Sequence, residues 1–166
     1  MSEVTPNGGC DHQAIANVLY RYGYLIDAGD FDGIGRLFEH ARMGAQGQSD
    51  TWSGREAIAQ RYRETTRLYP ETGTPRTKHC FSNLLIEVDA SGVAATCEAN
   101  YVVLQQTETL PLQPIITGRY HQRYEKHDGA WRVVEHRFFV DQVGDLSQHL
   151  LFDLARAQAA DTPADD

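Results

Sequence analysis

The spacing of apolar residues changes period near residue 79, and that change limits the fold more than any motif does. Before it, apolar side chains recur every three or four positions, as on one face of a helix. After it, four long runs alternate apolar and polar residues and are joined by short turns. The first, 79–88, ends in Asp89-Ala90-Ser91-Gly92; the second covers 93–106 and the third 115–126; Asp128-Gly129 then turns the chain tightly into the fourth, 131–142. Such strands form an antiparallel meander, and a meander with one apolar face needs a cover. The preceding helical part is the only candidate. The predicted class is therefore α+β: a curved antiparallel sheet wrapped as a cone around three N-terminal helices and open at one end.

The helices can be placed from their stripes and stops. Residues 1–10 read as a disordered lead. Asp11 stands where it can cap a helix whose stripe is Ile15, Val18, Leu19, Tyr22 and Ile26 and which Ala28-Gly29-Asp30 ends. Asp30 caps a shorter helix over 31–38. The Gly-rich stretch 42–53 suggests one short edge strand and a turn. Ser53, with Glu56 three residues on, predicts a capped third helix over 54–68 that stops before Pro70. A loop follows over 69–78, and Pro111 and Pro114 keep 107–114 out of the ladder. Leu146, Leu150, Leu151 and Leu154 predict a C-terminal helix over 146–160 before an acidic tail. The organisation is thus a lead (1–10), one domain (11–142) and a C-terminal helical segment with its tail (143–166). The leucine stripe needs an apolar partner, either the mouth of the cone or a second subunit.

Composition narrows the partners. A net charge of −8 argues against sequence-independent nucleic-acid binding, which needs a basic surface. No apolar run approaches the roughly 20 residues of a membrane helix, and no basic-then-apolar leader opens the chain, so the cytoplasm is the expected compartment. Three cysteines without a CxxC spacing suggest neither a disulfide framework nor a zinc knuckle. The seven histidines show no HxH or HExxH spacing, so no metal site is expected. The expected partner is a small hydrophobic molecule, with no cofactor, and the broad sheet back suits a homo-oligomer, a dimer or trimer.

Four stretches together resemble the nuclear transport factor 2-like superfamily in its SnoaL-like branch. They are IANVLYRYGYLIDAGDFDGIGRLF (15–38), GREAIAQRY (54–62), KHCFSNLLIEVD (78–89) and YHQRYEKHDGAWRVVEHRFF (120–139). That branch includes scytalone dehydratase, hexachlorocyclohexane dehydrochlorinase, bile acid 7α-dehydratase and polyketide cyclases. The resemblance implies a catalytic pair, an aspartate near the end of the first helix, at Asp27, and a histidine opening the long strand, at His79. It also implies a polar residue at Tyr22 and an arginine at Arg137, or else its neighbour His136.

The residues themselves allow this site and add to it. Alternation places His79, Phe81, Asn83 and Leu85 on one face, so Phe81 and Asn83 join the substrate-binding candidates. Asp27 lies roughly 140° from the centre of the helix stripe at 100° per residue, on a flank that is inside only if the sheet wraps it. Each candidate has an ordinary reading too: a helix-end carboxylate, a strand-end histidine, a packed core tyrosine, a strand arginine in an ion pair. The expected function is a cofactor-free, dehydratase-like lyase that uses His79 as base and Asp27 as its orienting carboxylate. The alternatives are a ketosteroid-isomerase-like isomerase, a polyketide cyclase, or a non-catalytic binding or assembly module of the same fold.

Overall fold

The four-strand meander forms, and two short strands from the chain before it extend the sheet at one edge. A computed structural model describes residues 8–46 and 51–152. Helix α1 spans Gly8–Ala28, α2 Phe31–Leu37 and α3 Arg55–Thr65, with short strands β1 (Arg42–Ala45) and β2 (Trp52–Ser53) between the last two. The meander strands are β3 (Thr77–Val88), β4 (Ala94–Gln105), β5 (Gln113–His127) and β6 (Ala130–Val143). One six-stranded sheet results, in the order β2-β1-β6-β5-β4-β3. The sheet is mixed, not wholly antiparallel as expected, because β1 returns along β6 in parallel register, Met43 opposite His136.

Curvature comes from irregular pairing. Strand β6 carries an extra residue between Val133 and Glu135 and another between Val140 and Gln142, and β3 carries one between Ser82 and Leu85. Each bulge bends its strand and reverses which side chains point inward. At Gly118, opposite Val140, a Cβ would collide with the Phe139 carbonyl oxygen and the Tyr101 ring, so only glycine lets the sheet fold over there. The Tyr101 hydroxyl donates to the same Phe139 carbonyl at 3.1 Å.

The concave face holds the helices around a core that includes Ile15, Leu19, Ile34, Phe38, Ile58 and Tyr124. Helix α1 starts at Gly8, ahead of the expected cap, so Gly8 to Cys10 belong to the helix and not to a lead; residues 1–7 lie outside the described residues. Asp11 falls in its first turn and does a different job. Its carboxylate accepts from Lys126 Nζ at 2.7 Å and Trp131 Nε1 at 3.0 Å, tying α1 to the β5–β6 hairpin. Asp30 caps α2 as expected, accepting from the Gly33 N–H at 2.7 Å. Ser53 does not cap α3, because it is paired in β2 with Arg42, and Gly54 takes the cap position.

Helix α3 also stops early, at Thr65 instead of 68. The backbone of Thr66 and Arg67 pairs with the segment after β6: Thr66 bridges Leu150, and the Arg67 N–H donates to the His149 carbonyl at 2.8 Å. The same pairing explains why 146–152 is a turn and a bridge, not the start of a helix. Its backbone groups are engaged across the fold, so tertiary pairing overrides local propensity. Residues 153–160, the rest of that expected helix, lie outside the described residues. Among the described residues, no helix is long and apolar enough to cross a membrane.

The contact that matters most for the site is between α1 and β3. Gly23 is buried, and a Cβ there would stand 2.7 Å from the edge of the Phe81 ring and 3.7 Å from the His79 Cβ. The missing side chain is what lets β3 lie on the flank of α1. We expect Gly23→Ala to lower stability by about 1–2 kcal/mol in urea unfolding, although alanine is the better helix former. An unchanged or higher midpoint would mean that the Phe81 ring can swing aside.

Candidate active site

Asp27 occupies the last turn of α1, where no basic residue is present and the helix macrodipole disfavours a carboxylate. Three donors from the start of β3 offset that cost. Thr77 Oγ1 donates to Asp27 Oδ1 at 2.8 Å, the His79 backbone N–H donates to Oδ2 at 2.9 Å, and His79 Nδ1 stands 2.7 Å from Oδ1. Burial alone would raise the carboxyl; the imidazole, the backbone N–H and the hydroxyl outweigh it and hold Asp27 below its ordinary value. An ionised Asp27 only accepts, so His79 Nδ1 carries the hydrogen and Nε2 keeps its lone pair. The His79 and Asp27 side chains are 5% and 11% exposed.

His79 lines a cavity of about 500 Å³ between helices and sheet, and Asp27 lies behind it, outside the lining. The buried part of the wall is aromatic and hydroxylic, with Tyr22, Tyr101 and Tyr120. Tyr62 Oη donates to Tyr22 Oη at 3.1 Å, and the Tyr120 ring packs edge-on against that of Tyr22, with centroids 6.0 Å apart. Burial raises the phenols of Tyr22, Tyr62 and Tyr120, so they stay protonated and able to donate.

The sequence candidates separate sharply. Tyr22 is buried and lines the cavity with His79. Phe81 packs behind that wall, its ring 6.3 Å from Tyr22 and 5.9 Å from Tyr120, and does not line the cavity. Asn83 is exposed. It adopts a left-handed backbone (φ 54°) in the β3 bulge, and the parity reversal there turns Leu84 and Ile86 inward and leaves Leu85 outside. Arg137 points away from the cavity and donates to Glu135 at 2.9 Å. The β6 bulge makes His136 the inward residue, 1% exposed and part of the cavity wall. Its Nδ1 meets the Gln122 amide nitrogen at 2.7 Å, so Nδ1 accepts and Nε2 carries the hydrogen.

Sequence reasoning passed over Tyr62, Tyr120 and His149. Tyr120, Gln122 and Tyr124 alternate along β5, and a glutamine between two tyrosines on one face was an available signal for a polar interior. His149 had none, because it reaches the cavity through the fold-back of the chain after β6. It is 8% exposed, and its Nδ1 has no hydrogen-bond partner among the described residues. Among those residues no group of three or more His, Cys, Asp or Glu is arranged to hold a metal.

The two buried imidazoles give a pH signature. Desolvation lowers His136 to about 3, and desolvation, with a smaller electrostatic effect of His79 that Asp27 opposes, lowers His149 to about 4. Both folded values lie below the ordinary 6.5. Between those limits the unfolded chain binds more protons, so stability falls as pH drops below 6.5. We expect a slope of up to about 1.4 kcal/mol per pH unit for each histidine in denaturant titrations. His136→Gln should remove one of the two contributions; an unchanged slope would show that His136 takes up its proton while folded.

The SnoaL-like domain family model matches residues 10–137. No curated protein sequence matches the chain significantly. Among solved structures, a protein of unknown function from Mycobacterium tuberculosis is similar at 26% identity, covering 80% of this chain and 73% of its own, with a TM-score of 0.64. A cystatin-like protein of unknown function from Nostoc punctiforme aligns at 19% identity over 87% and 99% of the two chains, with a TM-score of 0.67. A protein from Novosphingobium aromaticivorans, provisionally described as a scytalone dehydratase, aligns at 20% identity over 86% and 91%, with a TM-score of 0.66. At those identities the last two establish the fold alone. The family-model match over most of the domain establishes more: the chain belongs to the SnoaL-like domain family, within the nuclear transport factor 2-like superfamily.

Proposed function

We propose that this chain is a lyase of the dehydratase type, acting without a cofactor on a small, largely apolar cyclic substrate. His79 is the base and Asp27 its orienting carboxylate. The observation that carries this reading is the 2.7 Å contact between the two side chains beside a cavity of about 500 Å³. A neutral imidazole with one nitrogen held by a buried carboxylate and the other free is suited to removing a proton from carbon.

In the proposed reaction, His79 Nε2 takes a proton from a carbon beside a carbonyl. The C–H electron pair moves into an enolate, and negative charge develops on the carbonyl oxygen. Hydroxide then leaves the next carbon as the double bond forms, and the imidazolium returns its proton to it, releasing water and restoring neutral His79. Asp27 stabilises the imidazolium while it exists. The enolate oxygen needs donors that are already oriented and carry no net charge, and Tyr22, Tyr120 and the His136 Nε2–H are available on the cavity wall. Of the two last-strand residues that the resemblance left open, Arg137 and His136, His136 takes this role. The apolar remainder of the wall, including Ile26, Val103 and Leu146, favours a dry site in which these dipoles act strongly.

The test combines a binding screen with turnover. Thermal-shift screening of cyclic hydroxyketones, hydroxysteroids and polyketide-like aromatics finds ligands by mass action, and mass spectrometry then reads loss of water. His79→Ala and Asp27→Asn should each lower kcat by about 10²–10⁴-fold. His136→Phe should lower kcat by about tenfold or more while KM changes little, as expected for a donor used mainly in the transition state. Full turnover by either dyad variant would end the base assignment. Ligands that bind across the panel with no turnover would leave the cone as a binding module.

A further inference from the structure

The described residues that line the cavity include no aspartate or glutamate, and Arg61 is the one side chain among them with a permanent charge. That is a biased lining for a chain with 23 acidic and 15 basic residues. Arg61 makes no ion pair with a described carboxylate, whereas Arg63, two positions on, is taken by both Asp32 and Glu56. Its guanidinium is nevertheless held in place, 4.7 Å above the Trp52 ring centroid. Trp52 in turn stacks on Phe138, with centroids 6.4 Å apart and planes 14° from parallel. A ring face orients a guanidinium but satisfies few of its five N–H donors. A planar fork so placed fits a carboxylate, which can accept two of those hydrogen bonds at once.

Burial gives the cavity a direction. Tyr22, Tyr120 and His136 are buried, whereas Arg61, Trp52 and Phe138 are partly exposed, so the arginine marks the open end. We infer that the substrate is a cyclic carboxylic acid: Arg61 binds its carboxylate at the mouth, Trp52 and Phe138 border the ring, and the reacting carbon lies at the buried end. This rests on the proposed function only in taking the cavity as the substrate site. The acid group is remote from the reacting carbon, so it contributes binding and orientation, not chemistry.

Two probes that differ in charge and share a ring test this directly. Isothermal titration calorimetry of the full chain with 2-naphthoate and 2-naphthamide should show the carboxylate bound about tenfold or more tightly, and salt should erode the difference. Arg61→Gln should bring the two probes to within about twofold, mainly by weakening naphthoate, and Arg61→Lys should keep part of the preference. His79→Ala should keep it whole, which separates this inference from the fate of the dyad. Equal affinities in the wild type, no naphthoate binding by the wild type, a preference that survives Arg61→Gln, or one that vanishes in His79→Ala would each overturn it.

Discussion

Helix α1 and strand β3 touch at a glycine, and the proposed chemistry depends on that approach. Gly23 removes the side chain that would hold the strand away, so β3 enters along the flank of the helix one turn before Asp27. Its first residues then deliver Thr77 and His79 to the carboxylate. The backbone N–H of His79 and its imidazole bind the same aspartate, so the residue is fixed at two points. That double attachment sets both the position of the ring and its tautomer. An acceptor-only group at a helix C-terminus would otherwise be unfavourable, and the strand supplies what makes it tolerable.

The remaining polar groups of the cavity divide by charge behaviour. Tyr22, Tyr62 and Tyr120 are pushed toward the protonated form by burial, and His136 and His149 toward the neutral one. They are dipoles of constant charge near neutral pH. Of the three imidazoles on the wall, His79 alone is hydrogen-bonded to a carboxylate. A buried site that confines charge changes to one side chain has less solvent reorganisation to do when a proton moves. The Gln122 bridge from Tyr124 to His136, with contacts of 2.7 Å on both sides, keeps one of these dipoles aimed.

The segment after β6 closes part of the same cavity. Gly144 returns the chain toward Ile115, and the segment then pairs with the end of α3 and places Leu146, His149 and Leu150 in the wall. Gln105 and Tyr69 both donate to the Gln148 carbonyl, at 3.1 and 2.7 Å, so the crossing is anchored by side chains as well as backbone. Leu146 and Leu150, two of the leucines read as a helix stripe, thus find their apolar partner in the cone, whereas Leu151 is exposed. Backbone pairing to Thr65, Thr66 and Arg67 is more favourable than the short helix they could form.

Periodicity alone determined the three N-terminal helices, the meander and the hairpin at Asp128-Gly129, because those depend on which side of each element is apolar. The resemblance added Asp27 and His79 as a pair, although Asp27 sits off the helix stripe. What only the tertiary structure decided is which side chains face inward wherever the pairing slips. A bulge in β3 removed Asn83 from the interior, and one in β6 decided between Arg137 and His136 in favour of His136. Strict alternation cannot show such slips, since one extra residue reverses every side chain beyond it and leaves composition unchanged. The parallel return of β1 and the fold-back that brings in His149 are long-range pairings, formed by backbone groups that look alike in any sequence.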